Sequence, residues 1–256
     1  MRFSLLIIII FLSCSHKTIN SSNQKTFIYS HGAIIRGDTT KKQITLVFTG
    51  DEFADGGEFI TKTLKDQNVK ASFFFTGRFY RNPQFKSIIQ QLKKEGHYLG
   101  AHSNDHLLYC DWSKRDSLLV SEEEFKTDLL KNYEAMQSFG IKKKDALFFL
   151  PPFEWYNDSI ASWTNELGLQ LINFTPGTLS HADYTTPEAK NYRSSETIYQ
   201  SIINYGNNRS LNGFILLLHI GTDPKRTDKF YHYLPQLIQW LQQNSYRLVT
   251  VDKLLK

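Results

Sequence analysis

The chain has 256 residues, of which 41% are hydrophobic and 21% are charged, so it is long enough to bury one large core. The formal net charge of +5 is modest, and Lys and Arg are scattered instead of gathered into a stripe, which gives no argument for a nucleic-acid partner. No internal repeat and no domain boundary stand out.

The first residues resemble an export signal. An apolar run, FSLLIIIIFLS at residues 3–13, follows Arg2 and is too short to span a bilayer, which is typical of a signal-peptide core. We therefore expect residues 1–13 to be a signal peptide and the mature chain to be exported.

A lipid attachment site is expected to follow this signal. Cleavage just before Cys14, in FLSCS, would resemble the processing of a bacterial lipoprotein, although Phe11 stands where that signal usually has Leu. Ordinary secretion is the alternative. The polar residues 14–26 would form a tether, and the membrane would be reached only through a lipid on Cys14, on the periplasmic side of the cell envelope.

Short apolar strands alternating with helical stretches begin at Phe27, and we assign residues 27–256 to one domain. Residues 44–48, ITLVF, predict a buried strand, residues 59–68 predict a helix and residues 70–76, KASFFFT, predict the next strand. This order is the beginning of a βαβ unit.

The same alternation continues to the C-terminus. Gly96 predicts the end of one helix, and a capping box of Ser121 with Glu124 predicts the start of another. The remaining predicted elements are a helix at 83–96, a strand at 97–103, a helix at 121–140, strands at 146–150, 169–174 and 213–219, a helix at 233–244 and a closing strand at 246–251. Six or more strands separated by helices imply a parallel sheet, either open or closed into a barrel.

Polar residues follow several of the predicted strands. Both architectures place catalytic groups at the carboxyl ends of parallel strands. The residues that stand there are Asp51, His102, His106, Glu154, Asn173 and His219. Each of them alone could be structural, but their joint placement predicts a single active site.

Two of these residues are suited to metal binding. His102 and His106 are four positions apart, so on a helical turn their rings would lie on one face and could bind one cation, with Asp51 as a third ligand. A divalent metal in such a site polarises a carbonyl and lowers the pKa of bound water, which makes hydrolysis of amides or esters possible near neutral pH. The histidine spacing is a weak signal by itself.

Several further segments, together with the two histidines, match known sequence motifs in the same order along the chain. HSNDH at 102–106 and LLH at 217–219 match two motifs of the polysaccharide deacetylase family, also called the NodB-homology or fourth carbohydrate esterase family, and VKASFFFTG, EGHYLGAHS and YRLVTVDKLL are similar to further family segments. The resemblance covers roughly residues 43–256. It implies an α/β fold, a distorted (β/α) barrel of the deacetylase type, and a metal-dependent hydrolase.

The resemblance also implies roles for individual residues. The family's metal ligands match Asp51, His102 and His106, and zinc is the first choice of metal, although cobalt, nickel or iron would suit the same donors. His219 matches the family's general acid, which protonates the leaving group. Asp183, in HADY, matches the carboxylate that orients this acid, with an altered local spacing.

Two departures from the family pattern alter the predicted pocket. VFTGD replaces the first motif, so Gly50 stands where the family has the Asp that acts as general base. FLPPFEW replaces the third motif, and Leu150 stands at the position of the arginine that pairs with that base. Because either charge left alone in a partly buried pocket would be costly, the double loss indicates a remodelled pocket.

Three carboxylates could replace the missing base. Glu154 is preferred because PPFE holds it on a proline-stiffened loop at a strand end, and Glu52 and Asp55, beside the metal ligand, are the alternatives. All three could instead be surface acids. The nearby aromatic residues suit the apolar faces of sugar rings as well as ordinary packing; they are Tyr109, Trp112, Phe153, Trp155 and Tyr156.

The sequence therefore predicts an exported metal-dependent hydrolase that removes acetyl groups from an N- or O-acetylated polysaccharide or oligosaccharide in the cell envelope. One alternative is a glycan-binding lipoprotein of the same fold that has lost the base. Another is a metal hydrolase of this fold that acts on a different amide. Retention of a residue that matches the family's general acid favours the enzyme over the binding protein.

Overall fold

The computed structural model describes residues 27–256. The predicted signal peptide, the predicted tether and the predicted lipid on Cys14 lie outside the described residues. None of the helices in the described part is long and apolar enough to span a membrane.

Within residues 27–256, nine strands form one sheet. The strands are β1 (Ile28–Ser30), β2 (Ala33–Arg36), β3 (Gln43–Gly50), β4 (Ser72–Phe75), β5 (Tyr98–Ala101), β6 (Phe148–Phe149), β7 (Gln170–Leu171), β8 (Phe214–His219) and β9 (Arg247–Leu248). Their order is β1-β2-β8-β3-β4-β5-β6-β7, and β9 pairs with β3.

Helices fill most of the connections between these strands. They are α1 (Gly57–Asp66), α2 (Gly77–Arg81), α3 (Lys86–Lys94), α4 (Glu122–Gln137), α5 (Asp158–Glu166), α6 (Ser195–Asn208), α7 (Leu234–Gln243) and α8 (Val251–Leu254). Helix α4 begins with the predicted capping box, in which Ser121 N–H donates to Glu124 and Glu124 N–H donates back to the Ser121 hydroxyl.

The sheet is parallel from β8 through β7 and curls into a distorted barrel, as the sequence predicts. A bridge between Ile34 in β2 and Ile172, just after β7, joins its two ends. Strand β3 lies at the centre and is buried from Ile44 to Gly50, because a central parallel strand is covered on both faces. Its register with β8 pairs Thr49 with His219 and so brings two distant segments together at one edge.

The structure adds elements that the hydrophobic pattern did not predict. These are the β1–β2 hairpin, which turns at His31 and Gly32 with positive φ angles of 44° and 78°, and helices α2, α5 and α6. The predicted closing strand ends early, at Leu248, because the chain enters helix α8 at Val251 and packs on β3. The hairpin strands and helix α2 are too short to show a period, whereas α5 and α6 each have an N-cap residue and buried residues four positions apart, a helical signal that the sequence analysis did not use.

Candidate active site

A cavity of about 640 Å³ opens at the carboxyl ends of the parallel strands. Its wall carries Asp51 after β3, His102 and His106 after β5, Glu154 after β6 and His219 at the end of β8. Parallel strands bring their carboxyl ends to one edge, so residues that are far apart in sequence converge there. The structure thus brings these five residues together, and their chemical roles stay predictions.

His219 is held by Asp183. The Nδ1 atom of His219 lies 2.6 Å from Asp183 Oδ1, and the backbone N–H of His219 donates to Asp183 Oδ2 at 2.9 Å. The pKa of His219 is raised above its usual value. Burial by itself would lower this pKa, but the negative charges of Asp183 and Glu154 have the larger combined effect. With Nδ1 engaged, Nε2 is the ring nitrogen left to exchange a proton with a ligand.

Glu154 is a partly buried carboxyl in the same cavity wall. Burial raises the pKa of Glu154 to about 7; His219 works against this rise and Asp183 adds to it. Asn173, which the sequence also places at a strand end, does not line this cavity, but its side-chain amide donates to the Glu154 carbonyl oxygen at 2.8 Å. A carboxyl that ionises near neutral pH is suited to proton transfer at that pH.

Backbone strain is concentrated around the cavity. Seven non-glycine residues of residues 27–256 have positive φ, and four of them lie in the two loops that carry the histidines and Glu154: Ser103, His106, Phe153 and Glu154. Such conformations cost free energy and persist only where the surrounding structure enforces them. The consecutive angles of 58° at Phe153 and 53° at Glu154 set the direction of the glutamate side chain.

The segment with the two histidines is an irregular bend, which corrects the expectation of a helical turn. The ring centroids of His102 and His106 are 5.1 Å apart. His102 Nδ1 is hydrogen-bonded to the Leu150 carbonyl oxygen at 2.8 Å, so its Nε2 is free for another partner. Burial lowers the pKa of His102 well below its usual value and that of His106 to about 4, which keeps both rings in the neutral form that binds metals.

Asp51, the third predicted ligand, is engaged by protein groups. Thr76 Oγ1 donates to Asp51 Oδ1 at 2.8 Å, and the guanidinium of Arg78 donates to both carboxylate oxygens. Among the described residues, no group of three or more His, Cys, Asp or Glu side chains is arranged to hold a metal ion. His102, His106 and Asp51 nevertheless provide the kinds of ligand atom, two neutral imidazole nitrogens and carboxylate oxygens, that bind a divalent cation. For Asp51 to bind such a cation, the half-exposed Arg78 would have to move away from its carboxylate.

The positions of the two lost family residues are filled. A side chain at Gly50 would place its Cβ only 2.8 Å from Ile220 and 2.9 Å from both Phe75 and Phe79, all of which are fully buried. Leu150 is also fully buried and contributes its carbonyl oxygen to His102. The apolar surroundings of Gly50 therefore leave no room for a carboxylate at this position.

Asp55 and Glu52, the alternative bases, differ in their surroundings. Asp55 does not line the cavity: it accepts the backbone N–H of Thr222 at 2.8 Å and the hydroxyl of Tyr231 at 3.2 Å, and it pairs with Lys229 at 3.0 Å. Glu52 lines the cavity but is exposed. Glu154, which is partly buried, is thus the least exposed of the three candidates.

Sequence reasoning missed residues that shape the site. Arg78 and Thr76 bind Asp51, and the ring of Tyr184 lies 4.9 Å from that of His219. Thr76 and Arg78 directly follow strand β4, so the rule that places polar residues at strand ends could have found them. Tyr184 has no such signal, because it lies on a long irregular segment.

Known proteins share this chain's sequence pattern and fold. A sequence model described as polysaccharide deacetylase matches residues 36–172. The peptidoglycan-N-acetylglucosamine deacetylase of Bacillus cereus is 28% identical over 194 residues, which cover 75% of this chain and 78% of that protein. A CE4 family pseudoenzyme from Bacillus anthracis has a similar structure, with a TM-score of 0.67 and 20% identity over 89% of this chain and 70% of that one. A family 4 acetyl xylan esterase from Clostridium thermocellum, in complex with a cobalt ion, has a TM-score of 0.61 and 21% identity over 83% of this chain and 89% of that one.

Proposed function

The chain belongs to the polysaccharide deacetylase family, and on that premise we propose that it is a metal-dependent hydrolase which removes acetyl groups from an N- or O-acetylated glycan of the bacterial cell envelope. The family assignment made from the sequence motifs is confirmed. The observation that carries the proposal is the geometry of one cavity wall, in which the partly buried carboxyl of Glu154, with its pKa raised to about 7, lies together with a histidine held by a second carboxylate.

These two groups supply the proton transfers that hydrolysis needs. Glu154, ionised in part at neutral pH, accepts the proton of the attacking water. His219, whose raised pKa keeps it protonated more readily than a free histidine, donates a proton to the leaving nitrogen or oxygen of the sugar. Asp183 keeps His219 in the orientation that points Nε2 at the substrate.

The metal would be held by His102, His106 and Asp51. A divalent ion bound there polarises the acetyl carbonyl and stabilises the charge that develops on its oxygen. Neutral histidines and the cobalt ion in the related acetyl xylan esterase support a metal, and zinc is our proposed ion because it suits mixed nitrogen and oxygen donors.

The substrate and the location are part of the proposal. The related Bacillus cereus protein is named a peptidoglycan-N-acetylglucosamine deacetylase, which supports an acetylated cell-wall glycan as the substrate here. The apolar run at 3–13 and Cys14 support export and a lipid anchor.

A second candidate function is glycan binding without catalysis. The observations that favour it are the filled position at Gly50 and the hold of Arg78 on Asp51. A pseudoenzyme with this fold supports the same alternative. His219, with its supporting Asp183, favours the enzyme, because binding alone needs no acid at the leaving group.

Acetate release separates these functions. The purified chain, loaded with zinc or cobalt, is incubated with N-acetylated and O-acetylated sugar oligomers, with and without chelator. Release that chelator stops supports the metal-dependent deacetylase. Binding of the oligomers without release supports the glycan-binding protein, and release that chelator does not affect contradicts the metal's role.

A further inference from the structure

Arg226 is a fully buried arginine on the segment that follows strand β8. A buried charge is costly unless hydrogen bonds or an ion pair compensate it. The carboxylate of Asp228 lies 3.9 Å from the guanidinium, but the Asp228 side chain is 40% exposed, so water weakens this ion pair. Hydrogen bonds must therefore supply most of the compensation.

The guanidinium of Arg226 fastens the chain that precedes helix α6. Its Nη1 donates to the Thr185 carbonyl oxygen at 2.6 Å, and its Nη2 donates to the Arg193 carbonyl oxygen at 3.0 Å and to the Ser195 hydroxyl at 3.2 Å. Residues 185–194 form no strand or helix, so no regular backbone ladder holds them. One side chain thus ties both ends of this irregular segment to the chain after β8.

The Thr185 end of this segment carries the link to His219. Thr185 closes a turn, because its backbone N–H and its hydroxyl both donate to the Ala182 carbonyl oxygen, at 3.1 Å and 2.8 Å. Asp183 lies inside this turn, and its carboxylate accepts from the backbone N–H of His219 and lies 2.6 Å from Nδ1 of its ring. A continuous chain of contacts therefore runs from Arg226 through the turn to the ring of His219.

The positive charge of Arg226 does not by itself favour an acid at His219. This charge acts to lower the pKa of His219, whereas the Asp183 carboxylate acts to raise it and has the larger effect. A guanidinium donates along several directions in one plane, which suits acceptors on different parts of the chain such as Thr185 and Arg193. The hydrogen bonds, and not the charge, are therefore what Arg226 contributes to the site.

We propose that Arg226 is a positioning residue, which fastens the turn 182–185 to the segment after β8 and so holds the Asp183 carboxylate against His219. The inference deepens the proposed function and rests on it, since it takes His219 to be the acid of the hydrolysis. Arg226 does not line the catalytic cavity, so it acts through Asp183 and not by contact with the substrate. A displacement of about 1 Å in a catalytic group can lower a rate about 100-fold.

Arg226→Lys tests this role without catalysis, because it keeps the positive charge and loses the fork of donors. The metal-free chain is used, and NMR gives both the pKa of the His219 ring and the hydrogen exchange of the His219 backbone amide. We expect this pKa to fall and this amide to exchange faster, because both depend on Asp183. The amides of β8 that pair with β3 should stay protected, which shows that the change is local.

Arg226→Gln separates positioning from charge by the sign of the change. If Arg226 acted only as a nearby charge, its removal would raise the pKa of His219, and Arg226→Lys would leave this pKa unchanged. Positioning predicts a fall in both variants. A rise in Arg226→Gln or an unchanged pKa in Arg226→Lys would overturn the inference. Arg226→Lys is the milder change, so it carries the test if Arg226→Gln does not fold.

Arg36→Lys is the matched control. The guanidinium of Arg36 also donates to two backbone carbonyl oxygens, those of Ser210 and Asn212, and Arg36 lies outside the wall of the catalytic cavity. This variant should leave the pKa of His219 and the exchange of its amide as in the parent. Equal changes in Arg36→Lys and Arg226→Lys would show general damage and would also overturn the inference.

Acetate release by the metal-loaded chain gives a second, independent readout. Arg226→Lys should lower kcat about 10-fold to 100-fold and leave KM almost unchanged, because binding of the substrate does not need the acid. In the Asp183→Asn background the same change should lower kcat less than about twofold, since Arg226 acts through Asp183. A full additional loss in that background would contradict this route.

The two readouts separate this inference from the proposed function. A fall in the pKa of His219 in Arg226→Lys, together with a parent that releases no acetate, would remove the proposed function and leave Arg226 as the residue that holds Asp183. Acetate release by the parent, with a His219 pKa and amide exchange that do not respond to Arg226→Lys, would leave the proposed function and remove the positioning role.

Discussion

Replacing Glu154 by Gln should remove most of the activity and also make the protein more stable above neutral pH. Burial raises the pKa of this carboxyl from 4.5 to about 7 in the folded protein. Below pH 4.5 the group is neutral in the folded and the unfolded chain, so it does not affect stability there. Between pH 4.5 and about 7 only the folded state keeps the proton, so the free energy of unfolding falls over this range by up to about 3 kcal/mol and is level above pH 7, where the folded state carries the charge. Partial solvent contact of the side chain makes this figure an upper bound.

Two measurements on the parent and Glu154→Gln test this reasoning. Denaturant unfolding in the presence of chelator should give equal stability at pH 4 and a more stable variant at pH 8.5. Acetate release by the metal-loaded variant should fall about 100-fold to 10,000-fold, and the rise of the parent's rate with pH near 7 should disappear.

Glu52→Gln is the matched control, because Glu52 lines the same cavity but is exposed. It should change neither the pH dependence of stability nor the activity by more than a small factor. A Glu154→Gln protein that binds metal normally and deacetylates as fast as the parent would refute the base. Identical stability of parent and variant at pH 8.5 would refute the argument from burial.

Three other substitutions test the rest of the site. Asp183→Asn should lower the pKa of His219, because the Asp183 carboxylate is the main charge that opposes the effect of burial. NMR titration of the His219 ring measures this pKa, and an unchanged pKa would contradict the pairing of His219 with Asp183. Acetate release by this variant should fall about 100-fold or more. His106→Ala should lower the number of divalent ions bound per chain, measured by mass spectrometry of metal content, and an unchanged ratio would rule out this ligand. Gly50→Ala should lower the free energy of unfolding by about 1–3 kcal/mol in denaturant titrations, because its Cβ would lie within 3 Å of three buried apolar side chains. Unchanged stability would show that these side chains move to accommodate the new methyl group.

Much of the barrel could be predicted from the sequence because its central strands are continuous apolar runs. Strand β3 and strand β8 lie where the pattern places them, and polar residues after them do converge. The β1–β2 hairpin was missed because its strands are too short to show a period, and helices α5 and α6 were missed although each has an N-cap residue and buried residues at helical spacing.

The candidate site shows the same division. The sequence by itself determined which chemical groups stand at the strand ends, because apolar runs define the strands and the next polar residues must lie at their carboxyl edge. Only the tertiary structure shows how the candidate carboxylates differ in burial and in hydrogen bonding. Asp55 is tied to Thr222, which is distant in sequence, and Asp183 reaches His219 in the same way. Burial and ion pairing depend on atoms that come together only when the chain folds. The local sequence therefore could not predict that the pKa of Glu154 is raised to about 7 or that Arg78 binds the carboxylate of Asp51, the predicted metal ligand.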